Sequence, residues 1–393
     1  MRAWTVSIFL VTTGYVWGQA SATDIGVASF NLAWAGTLSD FQRHIQVCSS
    51  PNVNWCNTRS KDAEKAEQCQ KAFDSAAGGS GPALLVAPCN AYKLNTQKAS
   101  GGSPLYKDKL DGLNRTIDDL ITNQHIDVIA FQEVKSNEVL KTILGVHTGE
   151  FDTCTATHNS FQTVGFAWRK SISSTGGKCT TESELAIPED PLTPTSMRAT
   201  RPGLMLKLTI DSTPLALLNV HLKSSCANLL PDGKYQPHLL TDDDPACKVL
   251  NRQVPPLESW IEQTSKTSPM FVVLGDFNRK IDEEKNQNFP SNQVRQDGSD
   301  PASQNNVDSS GNVTSKYLWQ EISDGNPTLI QIPIAQTETG CTGFKGLDHI
   351  LLSEQLFKMQ PEDISSFKTP ANSKPGQIIE TSDHCPRITH LNL

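Results

Sequence analysis

The feature that most constrains this chain is a recurring device: a short apolar run that stops at a polar residue able to do chemistry. Residues 25–30 lead to Asn31, and residues 127–131 to Gln132-Glu133. Residues 214–220 end at His221, residues 271–274 at Gly275-Asp276-Phe277-Asn278, and residues 347–352 carry Asp348 and His349. Ser382-Asp383-His384 precedes the last element, and residues 163–169 and 203–210 are further runs of the same kind. Runs this short read as buried strands. Between them the spacing predicts a helix over 104–124, opened by Ser103-Pro104, with Leu110, Leu113, Ile117, Leu120 and Ile121 on one face. Strands outnumber helices and alternate with them, so the pattern predicts a mixed sheet sandwich covered by helices. Strands laid side by side put their ends along one rim, where residues distant in sequence converge. One strand ending in Asp or Asn is ordinary turn chemistry. A series of such ends is not.

The chain's start reads differently. Arg2 is basic, residues 3–18 are apolar or small, and Ala20-Ser21-Ala22 offers a small-residue cleavage site, so residues 1–22 are expected to be a signal peptide. Thr12, Thr13 and Gly14 interrupt the run, which falls short of the roughly 20 apolar residues a membrane span needs. The expectation is export without stable membrane insertion: secreted, or periplasmic in a bacterium. The ten cysteines agree, being even in number, scattered, and all beyond residue 22. Without CxxC pairs they point to disulfides rather than zinc. Cys154–Cys179 across a hairpin and Cys226–Cys247 closing a loop are the most economical local pairs. Residues 23–393 are expected to form one catalytic domain with two interruptions. One is a cysteine-rich insertion at 40–103, holding Cys48, Cys56, Cys69 and Cys89; the other is a polar loop at 281–315. The net charge of −8 removes any global basic field for drawing in nucleic acid. A bound divalent cation and a local basic rim would have to meet phosphate instead.

Taken in order, Asn31, Phe131-Gln132-Glu133, Asn219-Val220-His221-Leu222-Lys223-Ser224, Leu274-Gly275-Asp276-Phe277-Asn278, Leu347-Asp348-His349-Ile350 and Ser382-Asp383-His384-Cys385-Pro386 resemble a known set. They match the ordered motifs of the endonuclease/exonuclease/phosphatase superfamily, of deoxyribonuclease I-like type, from residue 24 to the end outside the two interruptions. The resemblance implies an α+β fold, a four-layer α/β/β/α sandwich of two mixed β-sheets flanked by helices. It also implies a metal-dependent phosphodiester hydrolase.

Cleaving a phosphodiester requires charge neutralised on the non-bridging oxygens, a deprotonated water in line, and a stabilised leaving oxygen. Mg2+ is hard and prefers oxygen ligands, with Mn2+ or Ca2+ as substitutes. Glu133 is the expected primary ligand with Asn31 beside it, and Asp383 is placed near the metal or the water. His384 is the candidate base, and the resemblance implies that Asp348 orients it. His221 is placed to bond the phosphate or assist the leaving group, and Asp276 and Asn278 to position the nucleophile and a phosphate oxygen. Asp276 and His384 both stay open as proton acceptor.

Arg201 could clamp a phosphate oxygen in bidentate fashion. Arg198 is its rival, and a solvated surface charge is the ordinary alternative for either; Lys223 stands the same way. His349 occupies a position where exonuclease III-type relatives usually carry Tyr, so its role is open. Trp34 belongs to the core or stacks on a base. His125 fits a helix C-terminal cap, and His44, His147, His158, His238 and His390 have no partner at metal-ligand spacing. The glycosylation pattern at Asn114 falls inside the expected helix and is discounted; that at Asn312 lies in the polar loop.

The leading expectation is a secreted, monomeric nuclease hydrolysing DNA, with RNA as the second substrate, by metal-assisted in-line attack of water, with no protein partner. A sphingomyelinase-like phospholipid phosphodiesterase ranks second, since it calls for an exposed apolar hairpin that the sequence does not display. An inositol phosphatase ranks third. A non-catalytic binding protein on the same scaffold would have lost one of Glu133, Asp276, Asp383 or His384, and all are present.

Overall fold

Alternation along the strands decides the architecture. The computed structural model describes residues 23–53, 63–89, 102–189, 198–227, 238–286, 317–323, 327–335, 346–377 and 379–393. The expected signal peptide, the Asn312 pattern and most of the polar loop lie outside them. The first half of the chain forms β1 (Asp24–Ala35), α1 (Leu38–Cys48), α2 (Ala63–Ala77), α3 (Ser80–Leu84), α4 (Gly102–Thr122), β2 (Ile126–Val134), α5 (Asn137–Ile143), β3 (Phe151–Thr155), β4 (Thr163–Arg169) and β5 (Lys178–Glu182). Then follow β6 (Gly203–Ile210), β7 (Thr213–His221), α6 (Pro245–Thr267), β8 (Phe271–Asp276), α7 (Ile281–Lys285) and α8 (Leu318–Ile322). The chain ends with β9 (Leu329–Gln331), β10 (Asp348–Ser353), α9 (Glu354–Phe357), β11 (Phe367–Lys368) and β12 (Arg387–Asn392).

Two six-stranded sheets result, in the orders β11-β12-β1-β2-β4-β3 and β5-β6-β7-β8-β10-β9. Among the named strands of the described residues, β1–β2 and β7–β8 are the parallel pairs, and each is joined through helices. Odd and even residues of each strand face different layers. Val27, Val128, Ala130, Val164 and Phe166 from the first sheet meet Leu206, Leu217, Val272, Leu274 and Ile350 from the second. On the outer faces, Ala28, Phe30 and Phe131 pack with Leu113, Ile117 and Leu120 of α4, and Leu218 and Val273 with Leu250, Leu257 and Trp260 of α6. Each fully buried Val, Leu, Ile or Phe among them contributes about 1.5–3 kcal/mol. A one-residue slip of any central strand would exchange its two rows, so the register is firmly held. The outcome is the four-layer α/β/β/α sandwich.

The inner row does not stay apolar. Two residues beyond Ser29 it continues as Asn31, beyond Ala130 as Gln132, beyond Leu217 as Asn219 and His221, and beyond Leu274 as Asp276; on antiparallel β10, Asp348 precedes Ile350. The register sets Asn31 beside Gln132, His221 beside Asp276, and Asp276 beside Asp348. One end of the layer between the sheets is therefore polar. Gln132 Nε2 donates to Asn219 Oδ1 at 2.8 Å, and Asn219 Nδ2 donates to the carbonyls of Phe131 and Gly165, so buried amides stitch the two sheets together there.

Cys154–Cys179 and Cys226–Cys247 are bonded as expected, and Cys48–Cys89 ties α1 to the segment after α3. Within the 40–103 segment, Val47, Val53, Phe73, Ala77 and Val86 form a small core of their own. Trp34 fastens it to the sandwich, stacking on Phe41 at 4.7 Å and donating to the Phe161 carbonyl at 3.0 Å. It is 1% exposed, which places it in the core. The polar loop expected from 281 begins instead as α7, because Ile281 is buried and Glu284 pairs with buried Arg279. Asn114 Nδ2 donates to the carbonyls of Thr142 and Ile143, so that amide is committed inside the fold. Among the described residues, no helix is long and apolar enough to cross a membrane.

Candidate active site

The polar end of the inner layer brings Asn31, Glu133, His221, Asp276, Asn278, Asp348 and His384 together from both sheets. Asp276 lies at the middle. Its Oδ2 accepts from Asn31 Nδ2 at 3.0 Å and Asn278 Nδ2 at 3.2 Å, and its Oδ1 from the Asn278 amide at 2.8 Å. The Nε2 atoms of His221 and His384 stand 3.6 and 3.8 Å from Oδ2. Burial raises the Asp276 pKa to about 6, with His384 and the hydrogen bonds working against it.

Backbone geometry delivers these side chains. Gly275 has φ 141, and a Cβ there would lie 2.0 Å from the Val220 carbonyl oxygen, so only glycine lets β8 run this close to β7 just before Asp276. Glu133 and Asn278 adopt left-handed φ of 61 and 51, which turns each off its strand into the site. Such conformations cost roughly 1–3 kcal/mol and cluster at functional sites.

His384 Nδ1 lies 3.1 Å from both oxygens of Asp348, whose Oδ2 also accepts from Lys368 Nζ at 3.0 Å. Burial alone would raise the Asp348 pKa, but the His384 and Lys368 charges outweigh it and hold the carboxyl well below its usual range. Burial likewise works to lower the His384 pKa, yet Asp348, Asp276 and Asp383 together raise it to about 10. The imidazole is therefore protonated at neutral pH. His221 behaves oppositely: burial, then the charges of Arg201 and His384, keep it neutral. Its Nε2 is 3.7 Å from Glu133 Oε1, and its Nδ1 has no partner among the described residues.

Arg201 is buried and donates from Nη2 to the Leu222 carbonyl, which also accepts from Asn278 Nδ2 at 3.1 Å. It supports the loop beside His221 and acts on that ring through its charge. Arg198 lies over the Phe73 ring at 5.5 Å, turned toward the insertion. Lys223 is half-buried at the rim, with Nζ 3.4 Å from the Ser224 carbonyl. Asp383 is exposed beside the pocketed His384.

Asn31, Glu133 and Asp383 carry oxygen donors of the kind a hard divalent ion prefers. Asn31 Oδ1 accepts one bond, from the Ala33 amide at 2.9 Å, which leaves its second lone pair, and the other two donors are carboxylates. Asp276, Asp348 and His384 lie close enough together to hold an ion. There, however, Lys368 and His384 already supply positive charge to Asp348. In the grouping of His238, Asp242 and Cys247, the Cys247 sulfur is locked in a disulfide.

His349 faces away from the site. Its Nε2 donates to the carbonyls of Arg279 at 2.8 Å and Gly346 at 3.0 Å, and Gln331 Nε2 donates to its Nδ1 at 2.9 Å. It therefore holds the turn that follows Asn278. Two charged residues escaped the sequence reading. Lys368 lies in a two-residue strand with no pattern around it. Lys109 interrupts the apolar stripe of α4 between Leu105 and Leu113, a signal that was available. Of the other histidines, His44 bonds the Ala87 carbonyl, His147 pairs with Asp118 and His390 with Asp24.

The sequence model of the Endonuclease/Exonuclease/phosphatase family matches residues 94–384. Among solved structures, the chain is similar to D. rerio TDP2 humanized by 14 mutations, at 12% identity and TM-score 0.42, covering 94% of this chain and 99% of that one. An endonuclease/exonuclease/phosphatase from Bacteroides vulgatus matches at 12% identity and TM-score 0.45, with coverage of 94% and 99%. The 3′-5′ exonuclease NExo from Neisseria meningitidis matches at 13% identity and TM-score 0.42, with coverage of 73% and 97%. No curated protein matches.

Proposed function

This chain belongs to the endonuclease/exonuclease/phosphatase family, and from that premise we propose that it is a secreted, Mg2+-dependent nuclease that hydrolyses phosphodiester bonds in DNA or RNA. The observation that carries the hydrolytic reading is Asp276: a buried carboxylate with its pKa raised to about 6, fixed by two amides and faced by two imidazoles.

In this reading Asp276 takes the proton from the attacking water, because it titrates near neutrality while His384 already holds a proton. His384, oriented by Asp348 and kept charged by it, stabilises negative charge on the phosphoryl oxygens. Neutral His221 hydrogen-bonds the phosphate, while Asn278, whose amide protons go to Asp276 and the Leu222 carbonyl, holds Asp276 in place instead of meeting a phosphate oxygen. Arg201 and Lys223 add positive charge at that flank. Asn31, Glu133 and Asp383 hold the divalent ion, which when bound supplies Lewis-acid polarisation of the phosphate.

The nuclease assignment is supported by the export-type start, the disulfides and the paired histidines, and its substrate is tested directly. Purified mature protein is incubated with Mg2+ and plasmid DNA, RNA or sphingomyelin vesicles, beside His384→Ala and Glu133→Gln. Cleavage of nucleic acid is expected from wild type and not from His384→Ala, while Glu133→Gln should lose Mg2+ affinity and activity together. Turnover of sphingomyelin only would replace the nuclease reading with the phospholipid one.

A further inference from the structure

Lysine is almost never fully buried unless its ammonium is fully hydrogen-bonded. Lys109 on α4 is 2% exposed and takes no part in the chemistry above. Its Nζ donates to the backbone carbonyls of Leu32 at 2.5 Å, Ala33 at 2.9 Å and Thr381 at 2.6 Å, which uses every proton an ammonium has. Leu32 and Ala33 directly follow Asn31, and Thr381 directly precedes Ser382-Asp383-His384.

The local backbone is built for this contact. The β1–β2 register skips from Asn31 to Ala35, and Ala33 is left-handed at φ 46, so carbonyls in between are available to the lysine. One turn along α4, a Cβ on Gly112 would lie 2.1 Å from Thr381 Oγ1, so glycine there lets the helix press against the same loop. Ser382 closes the link, its Oγ donating to the Asn31 carbonyl at 2.7 Å and accepting from the His384 amide at 3.0 Å. Burial lowers the lysine pKa to about 8, opposed by the charges of Asp383, Glu133 and Glu380.

We propose that Lys109 is a positioning residue of the metal centre, whose ammonium sets the spacing between the Asn31 arm and the Asp383-His384 arm. The inference rests on the metal reading given above. Two effects oppose each other when the lysine is removed. Loss of a positive charge near Glu133 and Asp383 would tighten cation binding, whereas three stranded carbonyls in a dry site would drive the arms apart. The carboxylates act on Lys109 only through their field, because its protons are all on carbonyls. Loss of spacing therefore dominates.

The test compares wild type with Lys109→Met and with Lys109→Gln, which keeps two donors without the charge. Mn2+ binding is measured by calorimetry at a temperature where each protein is folded, and backbone amide exchange is followed in the metal-free proteins. Lys109→Met is expected to weaken Mn2+ binding about 10–100-fold, with Lys109→Gln intermediate. Exchange at the His384 amide should quicken by roughly tenfold or more. A purely structural lysine would lower the melting temperature and leave the Mn2+ constant alone. Unchanged or tighter Mn2+ binding by a folded variant overturns the proposal; if Lys109→Met does not fold, Lys109→Gln decides. Should wild type itself bind no Mn2+, the metal reading fails separately. The spacing role is then judged by exchange, and an unchanged His384 amide in the variants overturns it.

Discussion

His384 and Asp348 form a buried ion pair in which Nδ1 stands 3.1 Å from each carboxylate oxygen, and Lys368 Nζ donates to Oδ2 of the same carboxylate at 3.0 Å. One aspartate thus balances two cations, and its charge keeps the histidine protonated.

Asp348→Asn removes that balance while keeping the shape. The His384 pKa, followed by NMR of the ring protons, should fall from about 10 toward the unperturbed range. The turnover number should drop on the order of 100- to 1,000-fold, the usual cost of losing a group that stabilises developing charge. A His384 titration that does not move would show that the pair is not electrostatically coupled.

The pH dependence follows from the signs of the shifts. His384 has a folded pKa raised above its unfolded value, so its stabilisation is full below about pH 6.5 and is lost as pH rises toward about 10. His349 is lowered by burial to about 4 and Asp348 is lowered as well, so their contributions are lost on the acid side. Metal-free wild type should lose stability between about pH 7 and 8 in denaturant melts, and His384→Gln should show a flatter profile there; above that, buried Lys109, its pKa lowered to about 8, gains stability with pH and offsets the His384 loss. Equal slopes for the two proteins would refute this. In activity, kcat/KM should rise with an acid limb no higher than about pH 6, set by Asp276, because a bound cation can only lower that value.

His349 tests whether the turn after Asn278 depends on its support from the outer face. His349→Leu leaves the Arg279 and Gly346 carbonyls without their donor, at a cost of about 1–3 kcal/mol. Denaturant midpoints should fall accordingly, and kcat should drop roughly 10- to 100-fold as Asn278 loses its place. Full activity in a destabilised protein would confine His349 to stability alone.

Much of this was legible in the sequence because strand alternation ties chemistry to fold. The run that buries Val27 must also turn Asn31 inward, and the run that buries Leu274 must do the same for Asp276. The same parity explains His349: next to Asp348 on one strand, it faces the opposite layer. What escaped depended on tertiary context. Helix α6 carries Pro255-Pro256 in its interior, which local rules read as a break, yet Val254, Leu257 and Trp260 hold it against the second sheet. Lys368 carries no local pattern. The ionisation of His384 could not be assigned without knowing that Asp348, Asp276 and Asp383 all converge on it.

Hydrolysis at Asp276 with a divalent ion is tested by plasmid cleavage with wild type and Asp276→Asn, each with Mg2+ and with the metal chelated. The amide is nearly isosteric, so the variant should fold with a similar melting temperature. Wild type should cleave only when Mg2+ is present, and Asp276→Asn should lose on the order of 100- to 10,000-fold in rate. Cleavage that survives chelation, or an Asp276→Asn protein as active as wild type, would contradict it.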